Sequence, residues 1–280
     1  ALAGGRMLSV EEASRYAGGM DDPARLVSSF AGIASSVANN GISIHGNAPS
    51  LLQWRLEGVE IPNPNHFADI NTLGGGILSS LSSNVLGNSD FFTGAFPAEY
   101  SNAVSGVFDM NLRNGNNRKM ENAIQLGILG LDIASEGPLS KKSDASYIFN
   151  YRYSTMELLS LANDIKYQDL NFKVNMPTRN AGTFSVWGTG YIDKFEDFED
   201  NPAEWEYHDD NKQSIAKQYA AAAGISHRYL FKNYSSLKTT LAATHSQQNA
   251  DEFVYDTNMA SSPFMDFKIK NTNIIFTTAY

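Results

Sequence analysis

Cysteine is absent from the 280-residue sequence. Without thiols the chain forms no disulfide, no cysteine-based metal site and no thiol nucleophile. Long apolar runs are also missing, and the mean hydropathy is −0.30, so a transmembrane helix is excluded. A membrane β-barrel is not excluded, because its alternating strands give a weak hydropathy signal. The net charge of −9 argues against nucleic acid as a partner.

Glycine and tyrosine divide the chain into two parts. Residues 1–118 hold 15 of the 22 glycines and 2 of the 13 tyrosines, whereas residues 119–280 hold 7 glycines and 11 tyrosines. Glycine permits tight turns, and tyrosine favours strands. We therefore predict two domains that meet at the polar segment 113–118.

The first part predicts short helices and a small mixed sheet. Ser9 and Glu12 form a capping box for a lead-in helix within residues 1–20, and Asp22 caps a second helix that starts at Pro23. One helical turn is predicted at 77–81. Short strands are predicted at 41–46, 53–59, 90–93 and 106–112.

The second part alternates with period two, as strands with one apolar face do. Tyr147, Phe149 and Tyr151 share one face, and Ser146 and Asn150 share the other. Strands are predicted near 145–156, 166–176, 181–195, 214–230, 233–250 and 264–280. Most reach the 9–11 residues that a tilted membrane strand requires. Short connections (138–144, 177–180, 231–233) alternate with long ones (157–165, 196–213, 251–263), an asymmetry typical of outer-membrane barrels.

Segment 119–137 changes its alternation near Gly127–Gly130. The change favours a hairpin over one long strand with a bulge. With the hairpin, eight strands are present, too few to close a plugged barrel and enough to leave an open edge.

Acidic residues concentrate between Asp193 and Lys212, where nine acids face two bases. The segment lacks the EF-hand positions, so a solvated external loop is favoured over a site for Ca²⁺ or a cationic substrate.

Three ordered motifs resemble the plug domain of TonB-dependent outer-membrane receptors. Segment 42–47 (ISIHGN) resembles the family's I-x-I-R-G element, with His45 where arginine is usual. Segment 56–59 (LEGV) resembles its L-D-G-V element. Segment 98–113 resembles the closing segment of the plug, with Ser101 in place of glycine. The turn at 136–138 and the tyrosine-rich strand after it resemble the start of the barrel.

The resemblance implies a membrane β-barrel with an α+β plug. Residues 1–118 correspond to the plug and residues 119–280 to the first strands of an incomplete antiparallel transmembrane barrel. It implies an outer-membrane protein of a Gram-negative-type bacterium, with active uptake of a scarce nutrient. A periplasmic TonB-type coupling protein, driven by the inner-membrane proton gradient, supplies the energy. The family's TonB box and any export signal are expected to precede Ala1, and the nutrient stays unidentified.

The resemblance also suggests a substrate-facing loop in the plug: Asn63, Asn65, His66, Phe67 and Asp69. Loops at this position rise toward the external mouth in the family, where aromatic and amide side chains can contact substrate. The competing interpretation, which we favour, is a loop packed against the barrel wall.

Charged residues at the predicted interface form a second candidate set, called here the polar lock: Arg55, Glu57, Glu99, Arg113 and Arg152. Charges buried between plug and barrel must pair, because an unpaired buried charge is costly. Such pairs would hold the plug in place while allowing it to shift.

No catalytic constellation, metal site or cofactor is predicted. The five histidines lack zinc-hydrolase spacing, there is no G-x-S-x-G, and no Lys-Ser/Thr follows Gly74–Gly76 as a P-loop requires. An enzyme is therefore the least favoured class. Two classes compete with the transporter: a non-transporting receptor or adhesin on the same scaffold, and a soluble glycan-binding β-protein.

Overall fold

The computed structural model describes residues 4–9, 22–35, 40–68, 74–127, 130–155, 165–197, 201–206 and 211–280. They form mostly strands. The strands of the front part are β1 (Gly5–Leu8), β2 (Ile33–Ser35), β3 (Ile42–Ile44), β4 (Leu52–Leu56), β5 (Val59–Glu60), β6 (Ser89–Phe92) and β7 (Gly106–Met110). The strands of the back part are β8 (Glu121–Leu126), β9 (Leu131–Pro138), β10 (Ser146–Tyr153), β11 (Ile165–Pro177), β12 (Thr183–Asp197), β13 (Lys212–Leu230), β14 (Ser236–Tyr255) and β15 (Ser261–Ala279).

The front part contains a five-stranded small sheet in the order β1-β6-β7-β4-β5, and β2 pairs separately with β3. Strands β4 and β7 run parallel and the other pairs are antiparallel, so the predicted mixed sheet is confirmed. Its interior holds the stacked rings of Trp54 and Phe108, whose centroids lie 5.3 Å apart. Phe91 packs edge-on against Phe108.

The back part is one eight-stranded large sheet in which each strand pairs with its neighbour in sequence. The hairpin predicted in segment 119–137 is confirmed: β8 pairs antiparallel with β9, and the N–H of Gly127 donates to the carbonyl of Gly130 at 2.9 Å. All eight predicted strands are present. The period-two pattern also predicts correctly which of their residues share a face.

The two faces of the large sheet differ in chemistry. One face, the inner face, packs on the small sheet through Ile148, Trp187, Ala222 and Ala242, which share one core cluster with Ile42 and Leu56 of the front part. The opposite, outer face exposes apolar side chains: Ile124, Leu126, Leu170, Ile192, Ile225, Leu241, Ile274 and Phe276. Exposed apolar patches of this extent mark surfaces that contact other proteins, membranes or ligands.

The described residues contain less helix than the predicted α+β plug would have. The described residues show one α-helix, α1 (Pro23–Leu26), and three 3-10 turns. The lead-in helix predicted from Ser9 lies, apart from Ser9, outside the described residues. The helical turn predicted at 77–81 is absent, because the N–H of Ser79 bonds the Asp22 carboxylate and that of Ser80 bonds the Pro64 carbonyl. No helix among the described residues is long and apolar enough to cross a membrane.

One connection differs from its prediction. Residues 251–263 are not a long loop, because β14 and β15 continue through most of them and leave a turn at 256–260. Pro263 pairs with Phe253 beside a register shift, on a strand with no described partner along its other edge. Proline is tolerated in such edge strands, so its presence did not end the strand.

Candidate functional site

The loop after β5 lies directly on the inner face of the large sheet. The Tyr191 hydroxyl of β12 donates to the Asn63 carbonyl at 2.9 Å. Asn65 forms an isolated bridge with Ser79, and the N–H of His66 donates to the Leu78 carbonyl at 2.8 Å. The loop is therefore held both by other residues of the front part and by the large sheet.

His66 is enclosed between two aspartates of the large sheet. Its Nδ1 lies 2.6 Å from Oδ1 of Asp193, and its Nε2 lies 3.0 Å from Oδ2 of Asp169. All three side chains are completely buried. The second oxygen of Asp193 accepts a hydrogen bond from the N–H of Phe67 at 2.8 Å. Two buried carboxylates thus hold one imidazole and the adjacent backbone.

Arg152 of β10 completes this group, called here the His66 cluster. Its guanidinium lies 2.9 Å from Oδ2 of Asp169 and also donates to the Ser79 carbonyl. With His66 protonated, two cations face two anions and the cluster is neutral. A buried group of this kind is stable only when its charges balance and its hydrogen bonds are complete.

Burial lowers the pKa of His66, but the charge of Asp193 and the hydrogen bonds to Asp169 and Asp193 outweigh it and leave the pKa above its ordinary value. The imidazole is therefore held as the cation that the two carboxylates require. The rings of Tyr167 and Tyr191, at 4.5 and 5.2 Å, flank it.

Raising the pH is expected to loosen this loop. A raised folded-state pKa contributes stability at pH values below the unfolded pKa, and that contribution is lost as the pH rises through the folded pKa. Hydrogen exchange at the amides of His66, Phe67 and Ile77, corrected for intrinsic rates, should therefore accelerate at alkaline pH. Amides in the middle of β13 serve as the control. Equal behaviour of the two sets would contradict the prediction.

Glu57 connects the two sheets at a second point. It lies in the turn between β4 and β5, with a left-handed φ of 54°, followed by Gly58 at 87°. Its Oε1 accepts from Nζ of Lys173 at 2.6 Å and from the N–H of Leu112 at 3.1 Å. Nζ of Lys238 donates to its main-chain carbonyl at 2.9 Å.

Arg113 lies where the chain leaves the small sheet for the large one. Its guanidinium donates two hydrogen bonds to the Glu136 carboxylate of β9, at 2.7 and 2.8 Å. The pair is partly exposed. The bidentate geometry therefore orients the connection more than it adds stability.

The five residues of the predicted polar lock do not all lie at the contact between the two sheets. Glu57 and Arg113 each pair with a charged residue of the large sheet. Arg152 belongs to the large sheet itself, pairs with Asp169 of the adjacent strand and reaches the front part only through the Ser79 carbonyl. Arg55 remains within the small sheet, where it donates to the Gly58 carbonyl and lies over the Tyr100 ring. Glu99 is exposed. That the five act together as a lock stays a prediction.

The predicted substrate-facing loop lies against the large sheet. Asn65, His66 and Phe67 are buried, Asn63 is partly buried, and Asp69 is outside the described residues. These positions match the favoured interpretation of a packed loop, and contact with substrate stays a prediction.

The partners on the large sheet were missed by sequence reasoning: Asp169, Asp193, Lys173, Lys238 and Glu136. One signal was present, because Asp169 and Lys173 are four residues apart in a predicted strand and so share a face. Asp193 was counted with the acidic segment, although it falls within the predicted strand 181–195. The structure places it in β12, where it is buried. Glu196 and Asp197 also belong to β12, so the acidity is not confined to a loop.

The structure describes only part of the acidic segment. Its residues 198–200 and 207–210 lie outside the described part, and Glu196 pairs with Lys194 at 2.8 Å. Within the described residues, no group of three or more His, Asp or Glu side chains could hold a metal ion.

Solved structures share the fold of this chain. The chain is similar to the pyoverdine outer-membrane receptor FpvA of Pseudomonas aeruginosa PAO1, with TM-score 0.59 and 10% identity over 88% of this chain and 39% of that one. It is similar to a mutant of the ferric enterobactin receptor PfeA of Pseudomonas aeruginosa, with TM-score 0.56 and 11% identity over 98% and 44%. The siderophore receptor PirA of Acinetobacter baumannii gives TM-score 0.50 and 12% identity over 91% and 46%.

The chain spans less than half the length of these three structures. No protein-family model matches the sequence, and no curated protein matches it. At these identities the likeness establishes the fold. The resemblance to TonB-dependent receptors drawn from the sequence motifs is therefore confirmed as a resemblance of fold.

Proposed function

We propose that this chain forms the plug, residues 1–118, and the first barrel strands, residues 119–280, of an outer-membrane receptor that actively takes up a scarce nutrient. One observation carries the proposal. The same strands that bind the small sheet through buried polar contacts on one face expose apolar side chains on the other. This combination suits a protein surrounded by lipid and filled by its own chain.

The contacts between the sheets define what must change for cargo to pass. The His66 cluster, the Glu57–Lys173 pair and the Arg113–Glu136 pair hold the small sheet against the inner face. A periplasmic TonB-type coupling protein would supply the energy to separate these charges. Because these charged contacts are polar, water can solvate both partners once they part. The apolar contact at Trp187 must be broken as well, and this adds to the energy that the coupling protein would have to supply.

An iron chelate is the first cargo to test. The similar structures are named as receptors for pyoverdine, ferric enterobactin and siderophores. Residues that contact cargo are expected near the ends of the strands at the connections 154–164 and 198–211, which are the longer ones of the large sheet.

Deleting the gene from the bacterium that encodes it should abolish growth when a single iron chelate is the only iron source. Growth with excess free iron should be unchanged, and the gene supplied in trans should restore growth on the chelate. A panel of chelates, glycans, peptides and cobalamin identifies the cargo. Unimpaired growth on every member, with ligand binding to the cells lost, would favour the non-transporting receptor or adhesin.

The soluble glycan-binding class is not favoured by the structure. It predicts polar residues on both outer faces or a closed sandwich core. Ile124, Leu126 and Ile274 are instead 74–81% exposed on the outer face. Extraction of the chain from membranes by detergent alone is the simple check.

A further inference from the structure

A polar cavity of about 520 Å³ lies between the Glu57 turn and the large sheet. It is found at the end of the sheet that carries the turns 178–182 and 231–235. Its charged lining residues are Glu57, Arg113, Lys173, Arg228 and Lys238. The remaining lining is polar except for Leu112. The volume is that of a small-molecule site.

The positive charges of the cavity exceed its negative charges. Arg113 is neutralised by Glu136. Lys173 and Lys238 share the single carboxylate of Glu57, at 2.6 and 3.6 Å. No hydrogen bond or ion pair joins the Arg228 side chain to another described residue. Asp109 does not line the cavity, although it lies close enough to Lys238 to interact with its charge, and the Tyr100 hydroxyl donates to it at 2.9 Å. Among the lining residues other than Arg113, three cations therefore face one carboxylate.

Two of these cations form a cross-strand pair of like charge, which is unfavourable in a sheet. Arg228 and Lys238 lie directly opposite each other on β13 and β14. They share the inner face with Ser226 and Thr240, whose hydroxyls are 3.0 Å apart. Like charges directly opposite each other destabilise a sheet. An anion between them would reverse that effect.

Glu57 shows which anion the site accepts, because its carboxylate already occupies part of the cavity. This carboxylate belongs to the small sheet: the N–H of Glu57 donates to the Met110 carbonyl at 2.9 Å, and its Oε1 accepts from Leu112. Lys173, Arg228 and Lys238 belong to the large sheet. Any separation of the two sheets would withdraw Glu57 and leave the three cations together.

We propose that this cavity is a binding site for a small polycarboxylate, with Glu57 as a tethered competitor that fills it while the small sheet is seated. Binding of the free anion and seating of the small sheet then oppose each other, and by linkage each weakens the other equally. If the proposed function is correct, this site lies on the path that an anionic cargo takes past the small sheet. The binding of the anion does not depend on the proposed function.

Calorimetric titration of the purified full chain in detergent with benzene-1,3,5-tricarboxylate tests the site. Glu57→Gln removes the competitor and should bind about tenfold more tightly than the unaltered chain. Adding Arg228→Gln to it should abolish that gain. Glu99→Gln makes the same charge change at an exposed position and should bind like the unaltered chain. Equal affinity of the Glu57 and Glu99 variants would overturn the proposal.

A second measurement does not depend on how well the Glu57 variant folds. Arg228→Gln alone removes an unpaired, exposed cation, so the fold should persist while the residual affinity falls several-fold. In the unaltered chain, the tricarboxylate should accelerate hydrogen exchange in β4 and β5, and the neutral tricarboxamide should not. Undiminished binding by the Arg228→Gln variant would overturn the proposal. Hydrogen exchange in β4 and β5 that does not change when the tricarboxylate is added would also overturn it. Since no transport is measured, these results are separable from those of the uptake test.

Discussion

Replacing His66 with alanine is expected to lower the free energy of opening of the loop 61–68 by about 3–5 kcal/mol, the usual result of breaking a buried ion pair from one side. The substitution leaves Asp169 and Asp193 buried with only Arg152 to balance two negative charges. The N–H of Phe67, which bonds Asp193, should lose its protection with the loop. Native-state hydrogen exchange measures the opening directly.

Two further variants separate charge from packing in this experiment. Adding Asp193→Asn to the alanine variant removes the uncompensated charge and should recover part of the loss. His227→Ala is the matched control, because that ring lies on the partly exposed outer face, stacked on Phe184. If the single and double His66 variants open equally easily, the electrostatic explanation is wrong.

Replacing Trp187 with alanine is expected to lower the stability of the contact between the sheets by about 3–5 kcal/mol, as for other fully buried aromatic residues. Trp187 is the largest fully buried side chain among the described residues, and its Nε1 donates to the Ser226 hydroxyl at 3.1 Å. An added Cβ at Gly224 would meet its ring at 2.6 Å, so the indole lies directly against the backbone of β13.

The expected result is faster exchange throughout β4 and β7, with little change at the β10–β11 pairing on the far side of the indole. Trp205→Ala is the control, since that side chain is only partly buried. Protection of β4 and β7 equal to that of the control would show that the polar contacts alone hold the small sheet.

Much of the large sheet could be predicted from the sequence. Alternation from Tyr147 to Tyr153 and the change near Gly127 are local patterns, and they determine both the faces and the hairpins. The strand β1 (Gly5–Leu8) was not predicted, because four residues without alternation become a strand only by pairing with β6. Tertiary pairing also overrode the loop-like composition near Pro263.

Only some of the residues of the candidate site could be predicted from the sequence. Sequence motifs and charge selected His66, Glu57, Arg113 and Arg152, whereas the partners Asp169, Asp193 and Lys173 were found only in the structure. Period two assigns a side chain to a face of the sheet but does not specify which residue of the front part it will contact. The large-sheet partners of His66 and Glu57 lie between 103 and 181 residues away in sequence, so no local pattern specifies them.

The strand order of the small sheet has a consequence for how the chain acquires its structure. Gly5 pairs with Phe92, and Leu52 pairs in parallel with Gly106, so these contacts close long loops. In the large sheet each strand folds back on the one before it. Loop-closure entropy and high contact order slow the first kind of pairing relative to the second. The hairpins should therefore form early, and the small sheet should assemble last, after the residues of the large sheet against which it packs have been synthesised.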